Sequence, residues 1–443
     1  MSFFEKHRDI LENQVPNNIE KYRKGTCKIR LTDKSGRPIK NQKISLHQKS
    51  HDFNYGANIF MLDEFKNEED NQKYRKFFKE YFNTATVPFY WDGLEPEQGK
   101  PRFDKNSPKI YRRPAPDLCL EYCEENGIRP KLHCLVYDKM TPDWLPKSDE
   151  KAMEKCYEER FRQIAERYAG KMFEYEVINE TLYEPGWHTQ TAVSKKKDVI
   201  DWAFGLAKKY FPNETLVINE GMGFFEIANG FRHPYFMQVE NALLKGVPID
   251  KIGFQYHIFT GAYSPTEEDY ENIIKRDAWR TDPTLTTRSI DVFKELGLPM
   301  EITEVTIPTF GETEQDEELQ AEILKNLYSL WFSFPQIDTV VYWNTVDGYA
   351  YAKKQNDPNN SDYWDENKCR GGLFRHDLTP KKSALMLKKL FNEIWHTDIE
   401  TVTDEDGYAV FSGFFGDYEL CIDNKEFAFG IHKQETNEFS FEI

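Results

Sequence analysis

Between about residues 50 and 396 the hydrophobic pattern switches repeatedly between two periods. Short runs rich in β-formers, at 53–60, 84–89, 129–136, 173–179, 215–219, 251–257, 298–303 and 337–343, read as strands. The stretches between them carry helical spacing. Tyr157, Phe161, Ile164, Ala165 and Tyr168 fall at i, i+4, i+7, i+8 and i+11, with Gly170 set as a cap just past the end. Leu319, Ile323, Leu327 and Trp331 recur every four residues after a Glu-rich first turn, which suits the positive end of a helix dipole. Eight strand–helix units predict an α/β fold, a (β/α)8 TIM barrel. An open doubly wound sheet is the alternative, but no glycine-rich phosphate loop follows the first strand.

The two ends of the chain alternate with period two. Residues 26–32 and 43–47 flank a turn at Asp33-Lys-Ser-Gly-Arg-Pro38, which is a hairpin signature. Residues 401–411 read as strand, Asp-Gly turn, strand, and 416–422, 427–431 and 439–443 add further short strands. Neither end has enough strands to bury both faces of a sheet alone. Both are therefore expected to join in one small all-β sandwich module. The domains are then 1–50, a polar lead-in and β-hairpin; 51–396, the barrel; and 397–443, the strands that complete the sandwich.

Composition narrows the partners. Across 443 residues, 58 basic side chains face 75 acidic ones, which argues against nucleic acid and anionic membranes. No apolar run approaches the length of a membrane span, and the first ten residues put charges where a signal peptide needs its apolar centre. The expected location is the cytoplasm, or outside the cell or in the periplasm if a signal peptide has been removed. Seven cysteines without a C-x-x-C pair read as reduced thiols, and Cys119 and Cys123, four apart on one helix face, as buried thiols rather than metal ligands. No metal or cofactor is expected. The aromatic fraction of 15% fills a large core or lines a sugar site.

Active sites of such barrels collect at the C-terminal strand ends. The strand at 173–179 delivers Asn179 and Glu180, and the one at 298–303 runs into Glu304. His133, Tyr137 and Asp138 follow a third strand, Gln255 and His257 end a fourth, and Trp343 ends the last. Two glutamates reaching in from opposite sides of a barrel mouth suit glycoside hydrolysis by an acid and a nucleophile. Asn179 is placed to hold a sugar 2-hydroxyl and His257 to orient Glu304. Proximity to an ionised Glu304 is expected to keep Glu180 protonated.

These motifs resemble glycoside hydrolase family 10, the retaining endo-β-1,4-xylanases. Trp91-Asp-Gly-Leu-Glu-Pro96 with Gly99 and Phe103 is similar to the family's W-x-x-x-E-P…G…F, and His133-Cys-Leu-Val-Tyr-Asp138 with Thr141-Pro142 and Trp144 to its G-H-T-L-V-W-H…T-P-x-W. Val177-Ile-Asn-Glu180 resembles the acid/base motif, Gln255-Tyr-His257 the Q-x-H, Ile302-Thr-Glu304 the nucleophile motif, and Tyr342-Trp343 with Asp347-Gly-Tyr349 the last strand. The resemblance implies that Glu180 is the acid/base, Glu304 the nucleophile and Trp343 the floor of the sugar site.

The chain also departs from that pattern. The family's E-N-x-M-K before the Trp is replaced by Thr86-Val-Pro-Phe-Tyr90, its W-H by Tyr137-Asp138, and its Gly after the last Trp by Asn344; residues 353–370 are inserted or expanded. Tyr90, Tyr137, Tyr349 and Trp364 are stacking platforms or packing under loops. Asp138 meets sugar hydroxyls or pairs with a neighbouring cation. Lys100, Arg102, Arg112 and Arg113 crowd one loop, where they meet an acidic sugar or are simply solvated. The expectation is a retaining glycoside hydrolase acting on a β-linked oligo- or polysaccharide related to xylan, decorated or non-standard. A catalytically inactive carbohydrate-binding barrel is the alternative; a metal-dependent barrel hydrolase lacks its H-x-H after the first strand.

Overall fold

A computed structural model describes residues 3–182, 191–221, 230–259, 278–309, 311–352 and 364–443. After β1 (Lys24–Thr32) and β2 (Lys43–Gln48) come eight strands with a helix following each. These are β3 (Asn54–Asn58), β4 (Thr84–Pro88), β5 (Arg129–His133), β6 (Glu174–Asn179), β7 (Thr215–Glu220), β8 (Lys251–His257), β9 (Met300–Thr306) and β10 (Ile337–Tyr342). They close into one barrel in the order β10-β3-β4-β5-β6-β7-β8-β9, with parallel pairing throughout. The fold is the expected (β/α)8 barrel. Helices cover the outer face, so every residue of β6 and β9 is buried. The helix Glu314–Ser333 opens on a capping box of Thr313 and Asp316, and acidic residues fill its first turn.

Inside the barrel the strands also carry charge. Lys131 pairs with Glu301, lies 3.8 Å from Glu174 and 3.9 Å from Glu176, and all four are at most 2% exposed. Lys251 pairs with Glu174 below and with Asp338 at 2.7 Å. Buried charges persist only when paired, so this ladder fixes the inward side chains beneath the barrel mouth.

The terminal strands form two sheets. With β11 (Asp398–Val402), β12 (Tyr408–Phe414), β13 (Gly416–Ile422), β14 (Lys425–Ile431) and β15 (Glu438–Glu442), the orders are β12-β1-β15 and β11-β2-β13-β14. Cys27, Ile29 and Leu31 of one sheet face Ile44, Leu46, Leu420 and Ile431 of the other, which is the expected sandwich. The two expected hairpins are corrected: β1 does not pair with β2, nor β11 with β12. Both turns are present, with Gly36 N–H on Asp33 and Gly407 N–H on Asp404, but each carries the chain from one sheet to the other. A two-stranded ribbon would leave its apolar face without cover, and crossing between layers supplies it. The hairpin that does form, β13 to β14, turns through Asp423 and Asn424 at positive φ. All seven cysteines are free. Among the described residues no helix is long and apolar enough to cross a membrane.

Candidate active site

Glu180 stands one residue beyond β6, in left-handed backbone with φ 57°. A glutamate held there costs about 1–3 kcal/mol, which the surrounding structure offsets. Glu304 lies within β9 and is 4% exposed. Gln255 of β8 pairs with Glu304 across the sheet, beside a register shift, and Asn179 of β6 pairs with Asn219 of β7. Four hydrogen bonds then join the two glutamates. Asn219 Nδ2 donates to Glu304 Oε1 at 3.1 Å and to Asn179 Oδ1 at 3.0 Å. Gln255 Nε2 donates to Asn179 Oδ1 at 3.3 Å and to Glu180 Oε1 at 3.0 Å. The Tyr137 hydroxyl donates to the other Glu180 oxygen at 2.7 Å.

Two histidines set the field around Glu304. Burial pulls His257 down to about 4, against the pull of Glu366 and Glu180, so its ring is neutral. Its Nε2 is 3.2 Å from Glu304 Oε2 and its Nδ1 is 2.9 Å from Thr306 Oγ1. The tautomer that satisfies both donates from Nε2 to Glu304 and accepts the threonine hydroxyl. For His133 burial acts downward too, but the Glu176 carboxylate 2.8 Å from Nδ1 outweighs it, with Glu304 adding, and the ring is held above its ordinary value. Its Nε2 meets the Tyr90 hydroxyl at 2.8 Å. Burial pushes Glu304 itself well above the carboxylate range, opposed by His133 and reinforced by Glu176, Glu180 and Glu366. Burial thus drives Glu304 toward its protonated form in the free pocket, whereas the sequence alone predicts it ionised.

The family model for glycosyl hydrolase family 10 matches residues 48–375. The chain belongs to glycosyl hydrolase family 10. It is 24% identical over 291 residues to endo-1,4-beta-xylanase B of Thermotoga neapolitana, covering 64% of this chain and 75% of that protein. It is also 23% identical over 418 residues, 93% of its length, to the anti-sigma-I factor RsgI6 of Acetivibrio thermocellus, of which it spans 46%. Among solved structures, xylanase 10B of Thermotoga petrophila in complex with xylobiose aligns with a TM-score of 0.56 at 21% identity, over 77% of this chain and 95% of the other, a likeness of fold.

The family 10 motifs have physical reasons in this chain. The Glu95 carboxylate accepts the Trp91 indole N–H at 3.0 Å and the Gly99 amide at 2.7 Å, and Gly99 takes the positive φ of 77° that closes this loop. Trp144 donates its indole N–H to the Glu95 carbonyl at 2.9 Å, tying the segments after β4 and β5 together. Where the chain departs from the family, aromatic rings take over. Phe60, Tyr90, Cys134, Tyr137 and Trp343 form one buried cluster, with Trp343 edge-on to Phe60 and to His133 at 5.2 Å each. Tyr349 instead stacks on His376 at 5.0 Å, and Trp364 meets Phe259, which stacks on His257 at 4.3 Å. The Asp138 carboxylate accepts hydrogen bonds from the Thr191 amide and hydroxyl. Of the expanded segment, residues 353–363 lie outside the described residues.

Several residues here were not singled out in the sequence. Asn219, which binds Glu304 and Asn179, belongs to Val217-Ile-Asn-Glu220, a repeat of Val177-Ile-Asn-Glu180 one strand over. That repeat was the available signal. Its own glutamate differs from Glu180: Glu220 is fully buried, accepts the Leu182 and Gly221 amides at 3.0 and 2.8 Å, and burial pushes it up to about 8. It braces the turn that follows Glu180. Glu366, held by Asn344 at 3.0 Å, adds a further carboxylate near the pair, from a loop that only the fold brings there. His133, Cys134 and Glu176 bring ligand atoms within 4.8 Å of one another. Both His133 nitrogens have partners and burial holds the Cys134 thiol well above its ordinary value, a poor set for an ion.

Proposed function

We propose that the chain hydrolyses a β-linked polysaccharide related to xylan by double displacement, with Glu180 as acid/base and Glu304 as nucleophile. The observation that carries this reading is the joint network of the two strand-end glutamates, in which each has a different partner set. Glu304 receives N–H donors from Asn219 and His257, which oppose the push of burial toward its neutral form and fix the attacking oxygen. Glu180 receives Tyr137 and Gln255, which orient it for transfer of a proton to the leaving oxygen. Once Glu304 is esterified its charge is gone, and Glu180 serves as base for the incoming water. Two inversions at one carbon retain the configuration. Asn179, fixed by Asn219 and Gln255, presents its amide toward a sugar 2-hydroxyl, and Trp343 floors the reacting sugar.

The rebuilt wall supports a decorated or non-standard chain over plain xylan. Tyr90 stands where the family's lysine is and spends its hydroxyl on His133, so the hydrogen bonds of the family's polar trio are lost. Glycan binding without turnover is a second reading, in which the loss of the family's polar trio marks lost activity instead of altered specificity. Anomeric proton spectra during digestion of linear and branched xylo-oligosaccharides separate the two. The β-anomer is expected first, with the α-anomer growing in by mutarotation; α-product first, or no product from any saccharide, speaks against double displacement.

A further inference from the structure

We propose that Arg113, backed by Arg112, is a binding site for a carboxylate on the sugar chain at the non-leaving side, so that the saccharide cleaved is an acidic, uronate-bearing one. The inference rests on the hydrolase reading of the pocket and adds its substrate class.

The first observation is charge bookkeeping in an acidic protein. With 75 acidic against 58 basic side chains, a surface cation finds a carboxylate easily. Arg75 has Asp63, Arg162 has Glu159 and Glu166, Arg167 has Asp117 and Arg375 has Glu317. Other arginines bury their guanidinium among backbone carbonyls: Arg102, in the same loop as Arg113, donates to those of Gly93, Pro108 and Arg113 itself. Arg113 does neither. It is half-buried, and its one side-chain hydrogen bond among the described residues runs from Nη1 to the Arg112 carbonyl at 2.9 Å. The rest of its planar donor fork is unspent, in the geometry that matches a carboxylate with two parallel bonds. Arg112 is 6% exposed, donates Nη1 to the Tyr349 carbonyl, and has a buried Nε with no partner.

The second observation is where the pair is held. The Arg113 guanidinium lies 4.2 Å above the centroid of the Tyr90 ring, whose hydroxyl binds His133 and whose ring leans on Tyr137, the donor to Glu180. Both guanidiniums also sit over Phe60, at 5.6 and 5.8 Å, and Phe60 packs edge-on to Trp343. Gly93 makes the path: a Cβ there meets Cγ and Cδ of Arg113 at 2.8 Å. Arg112 turns the chain at a φ of 60° to bring the two side chains to this wall. Tyr90 belongs to the segment that lost the family's polar trio, so the Arg113 guanidinium stands beside the place where those sugar contacts were removed. Cation–π seating also lowers the entropy lost when the fork engages a ligand.

The test uses two pairs of xylo-oligosaccharides, one with a uronate as the terminal non-leaving residue, the other with a uronate as a branch. Each acid is matched to its carboxyl-reduced, neutral form. For the unmodified chain we expect kcat/KM to favour acid over reduced form by a factor of roughly ten to a hundred in one of the two pairs, which identifies the source of the carboxylate. Added salt shrinks that preference. In Arg113→Gln the ratio falls to about one while the thermal melt stays cooperative, and Arg113→Lys keeps part of it. Equal rates on acid and neutral forms in both pairs, or a preference that survives in Arg113→Gln, overturn the site. Absence of turnover on all four sinks the hydrolase reading instead, and calorimetric titration of the same saccharides still reads the acid preference directly.

Discussion

Glu304→Gln is expected to lower kcat/KM on any cleaved saccharide by on the order of 10^4-fold or more, about 5.5 kcal/mol of lost transition-state stabilisation. An amide cannot attack the sugar carbon, and no other carboxylate takes its place between Asn219 and His257. The same substitution should not destabilise the fold. Burial holds the Glu304 carboxyl above its ordinary value of 4.5, so the stability tied to its neutral form is complete below about pH 4.5 and is lost as pH rises through the folded value. Glutamine never ionises and escapes that loss. Its melting temperature should therefore match or exceed that of the unmodified protein, by a margin that widens above pH 4.5. A mutant that turns over normally removes the nucleophile assignment; one that melts far lower makes Glu304 a scaffold residue.

Glu180→Ala is expected to divide substrates by leaving group. Natural saccharides need the proton and lose on the order of 10^2- to 10^4-fold, whereas aryl glycosides with good leaving groups keep their first step nearly intact. Water then lacks its base, the glycosyl ester accumulates, and turnover stalls after a burst. Azide, small enough to enter the space the carboxyl vacates and needing no base, should restore turnover and leave a β-glycosyl azide. Glu220→Gln is the control: that carboxyl is buried against backbone amides, and azide rescue of that variant rather than of Glu180→Ala would transfer the acid/base role one strand over.

How far the sequence carries is decided by the range of each physical effect. The barrel strands are legible because burial on both faces writes itself as short β-forming runs at 129–136 or 251–257. Glu180 and Glu304 are legible because strand ends in a barrel gather at one mouth. The partners of the terminal strands are not, because turn chemistry at Asp33 or Asp404 is local while the choice of sheet depends on which apolar face needs cover. Within one loop Lys100, Arg102 and Arg113 look alike in sequence, yet one pairs with Glu97, one threads backbone carbonyls and one lies unspent on Tyr90. The state of Glu304 is the hardest to foresee. It depends on burial and on Glu176 and Glu366, neither of which sits near it in the chain.

The most direct measurement is to trap the sugar on the protein. A xylobioside fluorinated at C2 with an activated leaving group slows the second displacement more than the first, and peptide mass spectrometry then reads where the sugar resides. We expect one glycosyl adduct, on the peptide that carries Glu304. Hydrolysis of the unfluorinated parent without any adduct, or an adduct on Glu220, Glu366 or another residue, contradicts it.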